Sequence, residues 1–353
     1  MRGSENGRSN LVSLRTAATF FLLLALWPGR AEAYLDPGTG SFLIQAVVAV
    51  LAGVGALMYP LFAALGDYDI AQEPLYSKKT QPPLMMMVMS RYEQLFNKAY
   101  SDYSDLDEDG TLDTTYQDKF DYSGYFDSNL CYTYSSGQFK ASAQATGTLK
   151  HTCGGTWSGN FLNWATMSRL DVMRYVLYGG HRITDSNSRT VLERAQIPND
   201  LHAWVKVYSG SDIGNFTPYK TTTSFCNATI ASGGAPLMRV ASGSWSEWAS
   251  TASRQCIAGR SDEGKDDSPR SVVADLNVRV EVCASGSGTF QEAFCRKYND
   301  GANDYLKPAG LLQSYGESGR LRFGLVTGTY ANPRDGGVVR RNIGKIAGNG
   351  TSF

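Results

Sequence analysis

Between residues 105 and 113 the sequence reads DLDEDGTLD, four aspartates in nine positions around one glycine. Carboxylates this close repel one another unless a cation sits among them. Counting Asp105 as position 1, Asp107 and Asp109 fall at 3 and 5, Gly110 at 6, Thr111 at 7 and Asp113 at 9, the D-x-D-x-D-G order of a calcium loop. In such a loop the side chains at 1, 3 and 5 converge, the glycine permits the tight turn, and the carbonyl at 7 completes that side. The expected ligands are therefore Asp105, Asp107, Asp109, Thr111 and Asp113, and the expected ion is Ca2+. Position 12, normally a bidentate glutamate, is Tyr116, so the last oxygen is expected from Asp118 or Asp121. The plainer alternative is a solvated acidic turn. A calcium ion here would pin a long loop rather than react.

Little else in the chain points to chemistry. His151, His181 and His202 are scattered and no C-x-x-C occurs, which gives zinc no support. There is no G-x-S-x-G, H-E-x-x-H or P-loop, and no histidine lies in a triad-like context, so a non-enzymatic protein is expected. Lys plus Arg equals Asp plus Glu at 33 each, and no basic stripe alternates with aromatics; nucleic-acid binding is not expected.

The elements that must position the loop belong to an exported protein. Arg2, Arg8 and Arg15 precede the apolar run 17–27, and Ala31-Glu32-Ala33 follows, the layout of a signal peptide over 1–33. Six cysteines suit that route. They allow fifteen pairings, of which the local one, 131–153, 226–256 and 283–295, is expected because it closes short loops. The segment 34–66 contains an uncharged run, 41–65, long enough to cross a bilayer. A true stop-transfer span there would leave the cysteines in the cytosol, so a membrane-associated anchor with the bulk of the chain outside is expected, and 67–83 reads as a linker.

From Leu84 onward the pattern is α/β. LMMMVM (84–89) reads as a buried strand and SRYEQLFNKAY (90–100) as helical. SGNFLNWATMSRLDVMRYVLYGG (158–180) reads as one helix, capped by Ser158, ended by Gly179-Gly180 and apolar nearly all round, with Trp164 in the core. Strands are expected at 201–209, 271–283 and 320–330, a partly helical stretch at 303–316, and a polar, disulfide-bearing insertion at 210–270.

Several of these segments together resemble one family. LNWATMSRLDVMRYVLYGGHRITD, TVLERAQIPNDLHAWVKVY, RFGLVTGTYANPRDGGVVRRNIG and YSGYFDSNLCYTYSSGQF are similar to the N-terminal region of the type IV pilus tip and biogenesis proteins of the PilC/PilY family. The resemblance runs from about Leu84 to Gly344. It implies a von Willebrand factor A-like three-layer core with long disulfide-stapled insertions over 84–353, and a role in pilus assembly and surface adhesion. The implied partners are minor pilins or pilus-tip components and a host or abiotic surface; the implied location is the pilus tip, cell surface or periplasm. It also implies a C-terminal β-propeller, which this sequence does not contain, so a fragment or an early-terminated gene is expected. The D-x-S-x-S of a metal-binding von Willebrand A face is replaced by Ser90-Arg91-Tyr92-Glu93-Gln94, so that adhesion metal site is expected to be missing. The competing expectation is a membrane-anchored periplasmic binding or scaffold protein unconnected with pili.

Overall fold

The computed structural model describes residues 82–346 apart from 91, 199–201, 231–233, 252–253, 260–266, 286–289 and 330–335. The expected signal peptide, the hydrophobic segment 34–66 and the linker up to 81 lie outside the described residues. Among the described residues no helix is long and apolar enough to cross a membrane.

The order is β1 (Leu84–Met89), a 3-10 turn (Glu93–Phe96), β2 (Leu130–Ser135), β3 (Gln138–Gln144), β4 (Trp157–Ser158), α1 (Gly159–Thr166), α2 (Arg169–Tyr178), β5 (Arg182–Ser186) and β6 (Arg189–Glu193). Then come β7 (Trp204–Tyr208), α3 (Ile213–Phe216), β8 (Thr223–Ala228), β9 (Leu237–Ser242), β10 (Ala274–Asn277) and β11 (Arg279–Val282). The last are β12 (Cys295–Asn299), β13 (Asp304–Pro308), a π-helical turn (Leu312–Glu317), β14 (Arg322–Gly328) and β15 (Gly337–Gly344). This is a mixed α/β body. Its sheets run β4-β2-β3-β11-β6-β5, β10-β9-β8-β7, β1-β14-β15 and β12-β13.

Local chemistry sets the pairing. β2 and β3 are joined by the two-residue turn Ser136-Gly137, both at positive φ, which matches the twist of a tight hairpin. Between the six- and four-stranded sheets lies α1, whose eight residues are all buried. Phe161, Leu162 and Trp164 join Tyr116, Tyr122, Tyr132, Phe139, Tyr208, Phe216 and Phe225 in one aromatic-rich core. A helix this apolar, with its two asparagines also buried, packs against structure on several sides.

Five sequence expectations change. The segment 158–180 is two helices, because Ser168 accepts the Asp171 N–H and the Asp171 carboxylate accepts the Ser168 N–H, a capping box that starts α2 afresh. Met167 is extended there, and its carbonyl accepts the Ala99 N–H. The described residues of 90–100 hold only the short 3-10 turn as helix, and Lys98 pairs as a strand with Ser168. The stretch 303–316 is helical in part as expected, through the π-helical turn, but its first half is the strand β13. The segment 210–270 is no mere insertion: β8 and β9 are the two inner strands of the four-stranded sheet. Finally, β1 forms as expected but is not buried, with Leu84 at 62% and Val88 at 81% exposure.

All three expected disulfides are present, Cys131–Cys153, Cys226–Cys256 and Cys283–Cys295, and no cysteine is free among the described residues. Glu292 is buried beside the last of these, accepting the Cys283 N–H at 2.8 Å. Burial pushes its carboxyl up from 4.5 to about 7. Between those values the unfolded chain is ionised while the folded one keeps its proton, so stability falls as pH rises through this window and the loss is complete above about 7. We expect Glu292→Gln, which keeps the acceptor, to abolish a decline of roughly 3 kcal/mol, read by urea unfolding at about pH 5 and about pH 8.

Candidate metal loop

The acidic loop is a closed turn held at its base by a bridge between Ser104 and Asp113. Within it Asp105 accepts the N–H groups of Asp109 and Gly110 at 3.1 and 2.8 Å, and Asp109 accepts that of Thr111 at 2.8 Å. Gly110 has φ +85°, where a side chain would be strained, so the glycine at position 6 is what lets the chain fold back. The carboxylate oxygens of Asp105, Asp107 and Asp109 lie within 4.8 Å of one another. Asp113 is not part of that group. It is buried, and its carboxylate accepts the Leu106 N–H at 2.8 Å, bracing the turn from below.

A cation already faces the cluster. The Lys119 ammonium pairs with Asp107 and, at 2.9 Å, with Asp109. The hydrogen bond from Lys119 holds the Asp109 carboxyl below its usual range. Asp107 keeps one oxygen, Oδ1, buried and without a hydrogen bond. Three converging carboxylates, one of them with a free buried oxygen, form a donor set that fits a hard divalent cation; Lys119 would have to give way to it.

The residues after the loop are committed elsewhere. Tyr116, where a calcium loop would place glutamate, is buried among Tyr122, Phe161, Trp164, Tyr208 and Phe216. Desolvation there raises its hydroxyl far above the ordinary range. Asp118 and Asp121 both face buried His151: Nδ1 lies 2.8 Å from the Asp118 carbonyl and 3.1 Å from its carboxylate, and Nε2 lies 3.0 Å from Asp121.

Two residues that the sequence reading passed over fasten this segment to the core. On α1, Asn160 accepts the Tyr122 N–H and donates to the Tyr116 hydroxyl and the Phe120 carbonyl. One turn on, Asn163 accepts the Phe126 N–H and donates to the carbonyls of Tyr122 and Phe126. Two amides on an otherwise apolar, fully buried helix are the signal that could have revealed them, since buried amides need partners. Ahead of the loop, Asp102 is tied to the same core by Trp164 and Lys206.

Comparison with known proteins agrees with this architecture. Residues 113–245 match the family model described as PilY1 homolog, small alpha/beta domain. A type IV pilus biogenesis factor PilY1 homolog of Xylella fastidiosa (strain Temecula1) is 37% identical over 281 residues, 74% of this chain and 19% of that protein. A second protein of the same description and organism is 29% identical over 326 residues, 85% of this chain and 24% of its own length. The chain thus spans about a fifth to a quarter of the curated relatives it matches. No solved structure matches it significantly. The identity of 37% over 74% of the chain, with the small α/β domain matched within it, makes this chain a member of the PilY1-homolog family.

Proposed function

We propose that this chain is an exported, non-enzymatic component of type IV pilus biogenesis, in which the acidic loop is a calcium-stabilised staple. The observation that carries the reading is the kinship over 281 residues with a pilus biogenesis factor. Three disulfides are consistent with an oxidising compartment outside the cytosol. The partners are then pilus components such as minor pilins, and the protein's contact with a host or abiotic surface is the adhesive part of the proposal. On this reading β1, parallel to β14 and followed by the β14–β15 hairpin, belongs to a von Willebrand A-like sheet. Asp105, Asp107 and Asp109 hold the ion through their carboxylates, and the Thr111 carbonyl is the remaining ligand of that face. Asp113 serves from below as a brace. Outside the cell, calcium at millimolar concentration is enough to fill even a weak loop of this type.

Deleting the gene in its own host and counting surface pili by electron microscopy tests the role. We expect a marked loss of pili, restored by the reintroduced gene. Unchanged piliation in the deletion strain would overturn it.

A further inference from the structure

Lys206 on β7 has its side chain fully sealed from solvent. Its Nζ lies 2.6 and 2.7 Å from the two carboxylate oxygens of Asp102 and 2.5 Å from the Tyr100 carbonyl. The Trp164 ring stands 4.6 Å from the same nitrogen, and its indole N–H donates to Asp102 Oδ1 at 2.9 Å. Lys98 is the other charged group on this carboxylate, with its ammonium 3.6 Å from Oδ2. Asp102 adopts φ +63°, a left-handed conformation that few residues other than glycine take up. That backbone geometry accompanies a side chain pointed directly at the amine.

A buried ion pair is costly to desolvate, and one proton moved from Nζ to the carboxylate turns it into a neutral amine beside a neutral acid without breaking a contact. Burial already brings the Lys206 ammonium down from 10.5 to about 7. A neutral amine, an acid carbon held against it, a dry aromatic wall and an N–H donor on the acid oxygen are the components of an amide condensation. We propose that Lys206 and Asp102 join in an intramolecular isopeptide bond.

In the reaction the Nζ lone pair attacks Asp102 Cγ. The charge that develops on Oδ1 is met by the Trp164 N–H, and Oδ2 leaves as water under the influence of the Lys98 ammonium. One C–N bond forms and one C–O bond breaks. The ammonium and carboxylate together yield an amide and one water, with no change in net charge and no oxidant or reductant. The product ties residues 104 apart in sequence and links the edge of the acidic loop covalently to β7.

The test is mass spectrometry of the purified, folded full chain after disulfide reduction. We expect an intact mass lighter by one water than that calculated for its termini. Trypsin should fail to cut after Lys206 and should yield a branched peptide joining 99–119 to 195–220. Asp102→Asn should instead lose one ammonia, since the same attack would expel the amide nitrogen, and Lys206→Arg should show the full mass. A folded wild-type chain at its full calculated mass, cut normally after Lys206, would overturn the proposal.

Discussion

Replacing Asn160 and Asn163 together by alanine is expected to destabilise the protein on the order of 5 kcal/mol, a large share of the roughly 5–15 kcal/mol by which a domain is ordinarily stable. The two amides make six hydrogen bonds to the 116–126 segment, at 2.7 to 3.1 Å. Both asparagines are fully buried, so water cannot replace what alanine removes. The N–H groups of Tyr122 and Phe126 and the carbonyls of Phe120 and Phe126 would lose their partners in a water-free core, while the Tyr122 carbonyl keeps the Ser128 hydroxyl and the Tyr116 hydroxyl keeps Asp118; an orphaned buried polar group costs about 1–3 kcal/mol. The losses couple because Tyr122 is held by both amides. Asn163→Asp is the informative single change: it keeps the acceptor for Phe126 and removes both donors. Urea unfolding of the single and double variants measures this; a double variant within about 1 kcal/mol of wild type would mean that the segment is held by its aromatic packing alone.

The second large effect belongs to Cys226 and Cys256. Changing both to alanine is expected to cost roughly 3–4 kcal/mol from the freed 30-residue loop alone. The two sulfurs are fully buried in a small cluster with Ala203, Ala228, Ala241, Trp248 and Ala249, so their removal also opens space in that cluster. Cys226 stands on β8, one of the two inner strands, while Cys256 lies in a loop with little regular structure. The bond therefore fixes a loop to a sheet, beside the Arg239 hydrogen bond to the Cys256 carbonyl and the buried Trp248. Thermal unfolding of the double variant should show a fall in midpoint on the order of 10 °C, and trypsin should cut first between the two positions. A midpoint unchanged from wild type would contradict this account.

What the sequence disclosed followed from how local each signal was. The Ser158 cap and the three short-range disulfides depend on residues close in the chain, and all are where spacing put them; the D-x-D-x-D-G order brings the Asp105, Asp107 and Asp109 carboxylates together but leaves Asp113 apart. The break at Met167-Ser168 was written in the sequence as S-x-x-D, but the apolar periodicity running through it masked the capping signal. β8 misled for the opposite reason. Ser224 and Asn227 made it look like a polar loop, whereas in the fold their side chains bond the Gly243 and Ala165 carbonyls and so can be buried. The contacts of Lys206 with Asp102, and of Asn160 and Asn163 with the 116–126 segment, join residues far apart and leave no periodic trace. The Tyr116 departure from the calcium pattern became intelligible only with the core in view: the position is an aromatic anchor.

The acidic loop, proposed as a calcium staple, should respond to the ion itself. Thermal unfolding of the full chain in millimolar calcium and in chelator, beside the Asp107→Ala, Asp109→Ala double variant, tests it directly. Binding at ten times the dissociation constant stabilises by about 1.4 kcal/mol, so a midpoint a few degrees higher in calcium is predicted for the wild type, with no calcium response in the variant. Identical wild-type midpoints in calcium and in chelator would contradict it.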